Sequence, residues 1–216
     1  MGRGVLEGAF LLLEEILDTE ESGLSELAAR TGLPKATAHR LLDQLVQLGA
    51  VERRDGRYRM GVTMFRFGSG WPLGVDLRST ALHPLRQLAS ALPSATLSVS
   101  VPDNGHLMVV GACRGEVNEV MPVRAGSKFA VWEAWQLVQR AAREGDGVVL
   151  VPQSPCHNGV AGVGVAVQAR PGEAVGVVSA LVFDERRVPG MIPAVRHAAQ
   201  VIGGHLARLR RTAGRA

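Results

Sequence analysis

Lys35, Thr37, His39, Arg40 and Gln44 alternate with Ala38, Leu41, Leu42, Leu45 and Leu48 at helical spacing. On a helix, the apolar set makes one stripe that faces a core. The polar set makes the opposite face, and no carboxylate interrupts it before Asp43. Those side chains donate to phosphates or reach base edges in a duplex groove. A solvated amphipathic helix is the other outcome of the same pattern. Downstream, the run VERRDGRYRM brings Arg53, Arg54, Arg57 and Arg59 together around Asp55-Gly56. Asp-Gly between two extended runs is a strong hairpin signal, and a hairpin with these arginines can lie against phosphates or enter a minor groove.

Other chemistries find less support. Cys156 and His157 are neighbours, but adjacent side chains seldom point at one another, and no third group is implied to orient them. His83, His106, His197 and His205 have no metal-ligand spacing. The two cysteines, Cys113 and Cys156, form no paired motif either. The glycines from Gly159 to Gly164 sit inside a strand pattern, where they permit close packing, and do not form a phosphate loop. No catalytic residue, metal ligand or cofactor is assigned.

The elements that must position the polar helix face can be read upstream and downstream of it. A helix is expected from Val5 to Asp18, with Leu6, Phe10, Leu13 and Leu17 along one side and Leu12 and Ile16 widening it. After the loop Glu20-Glu21-Ser22-Gly23, Ser25 is a plausible N-cap for a short helix through Thr31, with Leu27 and Ala28 turned inward. Gly32 permits a tight turn, Pro34 suits a helix start and Gly49 a helix stop. Charge follows this division. The first 29 residues hold seven acids against Arg3 alone, whereas Arg30 to Arg66 holds eight bases against Asp43, Glu52 and Asp55. A segment that turns basic where the helix-turn-helix begins has the electrostatic footprint of a DNA-contacting surface. All but Lys35 and Lys128 of the 24 basic residues are arginine, which reads as a composition bias. The basic cluster Arg208, Arg210, Arg211 and Arg215 reads as a solvated helix end.

Residues 5–70 resemble the N-terminal domain of the IclR family of bacterial transcriptional regulators. The resemblance rests on GLSELAARTGLPKATAHRLLDQLVQLGAVERRDGRYRMG, with Tyr58-Arg59-Met60-Gly61 closing the wing in the family manner. It implies a winged helix-turn-helix in which Lys35, Thr37, His39 and Arg40 lie at the DNA surface, with Gln44 beside them and Arg53, Arg54 and Arg57 on the backbone. Ala36 stands where the family frequently has serine, which removes one contact. His39 has a second reading, packing over the helix start. In the family, the segment matching Val62 to Trp71 is a helix that links two domains and contributes to dimerisation.

From Asp76 the pattern becomes α+β. Leu77 to Leu92 reads as a helix with Leu82, Leu85, Leu88, Ala89 and Leu92 inward and Pro84 as a kink or a start. Ala95 to Val101 alternates as a strand, Asp103-Asn104-Gly105 is a turn, and His106 to Ala112 returns. Glu116 to Arg124 is expected as a third strand, Phe129 to Arg143 as a helix, and Val148 to Val151, Val160 to Val167 and Ala174 to Phe183 as further strands. The closing helix spans Ile192 to Arg211, with Leu206 and Leu209 among its core residues. This is similar to the GAF-like effector domain of the family, an antiparallel sheet flanked by helices, in shortened form.

The fold expected is therefore α+β, with a winged helix-turn-helix over residues 1–61, a linker over 62–75 and an effector-binding or oligomerisation domain over 76–216. The family pocket maps onto Trp132, Glu133, Gly162 and Ser179. Trp132 and Trp135 stand where small residues are usual, and they either fill the cavity or stack on a flat ligand. Leu181 replaces a frequent serine. What the resemblance implies is a ligand-responsive repressor bound to a double-stranded DNA operator as a homodimer or tetramer, with a small-molecule effector. The alternative is a DNA-binding regulator whose C-terminal domain only oligomerises. No apolar run reaches the roughly 18 residues of a membrane span, the chain's start leads directly into a helical pattern with acidic residues, and a cytoplasmic location is expected.

Overall fold

The structure is a computed structural model that describes residues 4–130, 132–145, 147–154 and 159–213. The chain divides into two units, Met1–Pro72 and Leu73–Ala216.

In the first unit, α1 (Val5–Thr19), α2 (Leu24–Thr31) and α3 (Lys35–Gln47) enclose one apolar cluster. Gly32 ends α2 in the left-handed region at φ 67°, a conformation that carries a side chain only at a cost, and its N–H closes on the Ala29 carbonyl. From α3 the cluster takes Ala38, Leu41, Leu42 and Leu45, as the spacing requires. Leu48 instead projects into solvent, 70% exposed, because it falls at the C-cap where the helix has stopped. The expected cap at Ser25 is also displaced: Gly23 occupies the N-cap and Ser25 lies within the helix, exposed.

Helix α1 shows the largest departure. Its buried residues are Gly8, Leu12, Leu13 and Ile16, while Leu6 is 78% and Phe10 63% exposed and Leu17 stands at the surface. Two apolar stripes run along this helix and share Leu13. The inner one is selected by Gly8, whose missing side chain lets Leu41 and Leu33 pack against the backbone.

The hairpin β2 (Val51–Arg54) and β3 (Arg57–Met60) forms as expected. Asp55 and Gly56 both take positive φ, 49° and 79°, as a two-residue primed turn requires. A further short strand, β1 (Ser22–Gly23), lies where a loop was expected. It pairs antiparallel with β3, so the sheet order is β1-β3-β2. The unit ends in α4 (Val62–Ser69), none of whose residues is buried.

The second unit is a six-stranded antiparallel sheet in the order β6-β5-β4-β9-β8-β7. Its strands are β4 (Thr96–Asp103), β5 (His106–Cys113), β6 (Lys128–Phe129), β7 (Val148–Ser154), β8 (Val160–Arg170) and β9 (Glu173–Val182). Helices α5 (Pro72–Ala91) and α7 (Val188–Ala213) cover one face, where Leu97, Val99, Val163, Val165, Val178 and Ala180 meet Leu77, Leu85, Ile202 and Leu206. Helix α6 (Trp132–Glu144) packs Trp135, Val138 and Ala142 against Leu107, Ala166 and Val177 in a separate cluster. Pro84 neither starts nor ends α5, which runs through it. Leu82 and Leu209, expected inward, are 52% and 42% exposed.

Glu116 to Arg124 is not a strand. It opens with a 3-10 turn at Glu116–Glu119, and side-chain bonds hold it in place of a ladder. Asn118 accepts from the Gly115 N–H at 3.1 Å and donates to the Val123 carbonyl at 3.0 Å. The Glu116 carboxylate accepts from the Phe183 N–H at 2.9 Å and from Arg187 at 2.9 and 3.1 Å, and Arg187 also donates to Ser94. Glu116 is thus the joint between the turn, the end of β9 and the approach to α7. Glu116→Ala is expected to destabilise the second unit by about 1–2 kcal/mol, the range for losing a charged hydrogen-bond acceptor at a partly exposed site. Urea denaturation checks this, and an unchanged midpoint would count against the joint.

Candidate nucleic-acid interface and ligand face

Helix α3 presents its polar face as the spacing requires. Lys35, His39, Arg40 and Gln44 are exposed and Thr37 is half-buried, while Ala38, Leu41 and Leu42 between them are in the core. No acidic residue lies in the first turn of α3. His39 turns its Nδ1 towards the Asp43 carboxylate one turn on, 3.2 Å away, so Asp43 shares the outer face with it. The second reading of His39, packing over the helix start, is not what this geometry shows.

The wing arginines are not equivalent, a difference that no local pattern in the sequence reveals. Arg59 donates through Nε and Nη2 to its cross-strand neighbour Glu52, at 3.0 and 2.7 Å. Arg57 donates through Nη2 to the Glu21 carbonyl at 2.8 Å, and its Nε lies 3.2 Å from the Glu21 carboxylate. The Arg53 guanidinium lies over the ring of buried Tyr58, 5.5 Å from its centroid. Arg54 is more exposed than Arg57 or Arg59, with Asp55 3.8 Å from its Nε. On the far side of α2, Arg30 donates to the Glu15 carboxylate and so ties α2 to α1. Glu21, Glu52 and Asp43 are partners that sequence reasoning missed. Each is an acid recruited from another element or another turn, and only the cross-strand register or helix spacing could have signalled two of them.

On the sheet face beneath α6, the expected ligand residues are partly assembled. Ser179 on β9 lies directly opposite Gly164 on β8 and Ser98 on β4. Gly162 lies opposite Leu181, whose side chain occupies the space a Cβ at Gly162 would take, and the Ala180 carbonyl would be only 2.5 Å from that Cβ. The residue that replaces the family's serine therefore overlies the glycine. Glu133 is exposed on α6. The Trp132 side chain, Cys156 and His157 lie outside the described residues. Trp135 is 2% exposed and packs in the cluster beneath α6, so for this tryptophan the filling role is the one realised. Ser98 and Ser100 on β4 were not singled out, yet both hydroxyls are buried on this same face. The alternation TLSVSV reads from sequence as polar residues facing water, and it does not reveal that the second face is covered. No cluster of potential metal ligands occurs among the described residues, and no helix among them is long and apolar enough to cross a membrane.

Residues 5–55 match the model of the IclR helix-turn-helix domain. Over 80 residues the chain is 40% identical to the glycerol operon regulatory protein of Streptomyces coelicolor, covering 36% of this chain and 32% of that protein. Over 85 residues it is 31% identical to the HTH-type transcriptional regulator KipR of Bacillus subtilis, covering 39% and 34%. The match thus spans about a third of the length of these curated relatives. Among solved structures, an IclR homologue from Microbacterium hydrocarbonoxydans, complexed with 4-hydroxybenzoate, superposes with a TM-score of 0.72 at 17% identity, covering 94% of this chain and 99% of that one. The IclR protein of Thermotoga maritima gives 0.64 at 20% identity, covering 94% and 98%. These likenesses establish the α+β fold, with its N-terminal helices and C-terminal antiparallel sheet.

Proposed function

We propose that this chain is a transcriptional regulator of the IclR family and works as a sequence-specific DNA-binding repressor whose affinity is set by a small molecule. The observation that carries the DNA reading is the outer face of α3, where Lys35, His39, Arg40 and Gln44 are exposed above a fully apolar inner stripe. In this reading α3 enters the major groove, Arg40, His39, Thr37 and Gln44 reach base edges or phosphates, and Arg53 and Arg54 on the wing touch the backbone. The protein works in the cytoplasm as a homodimer or a tetramer. Two winged units then read related half-sites about 34 Å apart or a multiple of it. Apolar side chains left exposed in the first unit, Leu6 and Phe10 on α1 and Val62, Phe65 and Phe67 on α4, favour association with a second copy.

The effector is assigned to the sheet face that carries Ser98, Ser100, Gly164 and Ser179, with Gly162 and Glu133 at its margin. A relative's crystal complex with 4-hydroxybenzoate supports a compact aromatic acid as the first compound to try. A ligand alters DNA affinity only if it binds one arrangement of the protein better than another. The second reading, a C-terminal unit that only oligomerises, is favoured by buried Trp135 and by Leu181 over Gly162.

Selection from random duplexes tests the first claim, with enrichment of two related half-sites expected; recovery of unrelated sequences would sink it. Thermal shift with small aromatic and aliphatic acids separates the two readings of the second unit. A ligand of the folded state raises the melting temperature, by mass action. If no compound does so and none changes DNA affinity, the oligomerisation reading stands.

A further inference from the structure

We propose that Arg57 and Glu21 form a clamp that fixes the angle of the wing, so that Arg57 is a positioning residue and not a phosphate contact. The proposal rests on the reading of α3 and the wing as the DNA-binding surface. Three observations carry it. First, β1 pairs with β3 in the register Ser22↔Tyr58 and Gly23↔Arg57, so the wing is hydrogen-bonded to the chain that leads into α2. Second, Arg57 reaches back along that seam and donates to the Glu21 carbonyl at 2.8 Å, with the Glu21 carboxylate 3.2 Å from its Nε. A main-chain acceptor next to β1 is a fixed point, unlike a second flexible side chain. Third, Arg54 and Arg57 are direct cross-strand partners. Like charges in that position repel, and Glu21 supplies the opposite charge that lets both arginines occupy it.

The same ribbon face shows a division of labour. Glu52 holds Arg59 and Glu21 holds Arg57, each at hydrogen-bond distance. Arg54 is left with Asp55 at 3.8 Å and is 72% exposed. Two guanidiniums build the ribbon and its root, and Arg54 is the one turned to the phosphates. An isolated surface ion pair is worth little. The clamp matters because the wing is a two-stranded ribbon of four-residue strands joined to the helices through a two-residue strand. A small rotation at its root displaces its tip, where Arg54 lies.

The sign of one substitution decides the matter. Glu21→Ala removes the carboxylate and leaves Arg57 only its bond to the Glu21 carbonyl. If Arg57 contacts phosphate, DNA affinity rises or stays unchanged. If Arg57 is a clamp, affinity falls. Binding to mixed-sequence double-stranded DNA of fixed length at low salt is measured for Glu21→Ala, Arg57→Ala and the double variant. Each single variant is expected to weaken binding by about 3- to 10-fold, the range for losing one hydrogen bond of ordinary strength at an exposed site. The double variant is expected to be no weaker than Arg57→Ala. Tighter binding by Glu21→Ala, or additive losses, would overturn the proposal. So would a loss of affinity that only tracks a fall in the melting temperature of the first unit. Arg54→Ala should flatten the dependence of log K on log salt by about 0.9, the value for one phosphate. Arg40→Ala, measured alongside, reports on the underlying reading. If it leaves binding intact, the DNA surface itself is misplaced; if it weakens binding while Glu21→Ala strengthens it, the clamp alone fails.

Discussion

Arg40→Ala weakens binding to the selected operator by about 10- to 100-fold, or roughly 1–3 kcal/mol, the cost of losing an arginine that reads a base edge. Arg40 sits mid-helix on the outer face of α3, between Lys35 and Gln44, and among the described residues no side chain hydrogen-bonds or ion-pairs with its guanidinium. It is therefore free to make two parallel bonds to a guanine or to a phosphate. Because it is exposed and unpaired within the unit, its removal leaves the melting temperature where it was. Fluorescence anisotropy with the selected duplex measures the loss. Preference at a single base pair should relax if the contact is to a base, whereas a uniform loss with a flatter salt dependence identifies a phosphate contact. Unchanged affinity at low salt would remove α3 from the interface.

Two positions further on, the opposite effect is expected. Leu42→Ala should destabilise the first unit by about 2–5 kcal/mol, the range for emptying a fully buried leucine site. Leu42 has no exposed surface and packs in the cluster formed by Leu12, Ile16, Leu27, Ala38, Leu45 and Tyr58. The sheet of residues 73–216 has its own, separate cluster and should keep its stability. Urea unfolding followed by probes in each unit would show one transition displaced and the other unmoved. A loss below about 1 kcal/mol would mean that the site collapses to fill the space. DNA binding is lost in proportion to the unfolded fraction of the first unit and returns at low temperature or with excess DNA, as mass action requires.

These two residues also mark where the sequence was readable. For α3, polar and apolar positions separate cleanly, so Ala38, Leu41, Leu42 and Leu45 were legible as core and Arg40 as surface. The Asp55-Gly56 and Asn104-Gly105 turns were legible because their φ values demand those residue types. Helix α1 was misread because Leu6, Phe10 and Leu17 make a larger stripe than the one that is buried, and Gly8 was the only local sign of the true contact. Leu48, Leu82 and Leu209 fit a helical period, yet periodicity says nothing of where a helix ends or where a neighbour stops covering it. Glu116 to Arg124 read as a strand from its valines, but the conformation is set by Glu116, Asn118 and Arg187, which meet across sequence separations no local pattern reports. The wing clamp was hidden for the same reason: Glu21 and Arg57 are far apart in the chain, and β1 is too short to signal itself.

The order of strands in the sheet has a consequence for how the protein comes into being. The hairpins β4–β5 and β8–β9 are local, but the central seam joins β4 to β9, with Thr96 opposite Leu181. That seam cannot form until nearly all of the second unit has left the ribosome. Pairings this distant in sequence close slowly, since the loop entropy must be met before any contact rewards it. The first unit, by contrast, is complete in its first 72 residues and is built from helices and a tight hairpin. During synthesis α3, the proposed DNA-reading helix, is thus expected to be folded while the sheet is still an open chain, with its valine-rich β8 and β9 exposed. In that interval the half-made protein carries a finished winged domain beside a segment prone to pair with other strands.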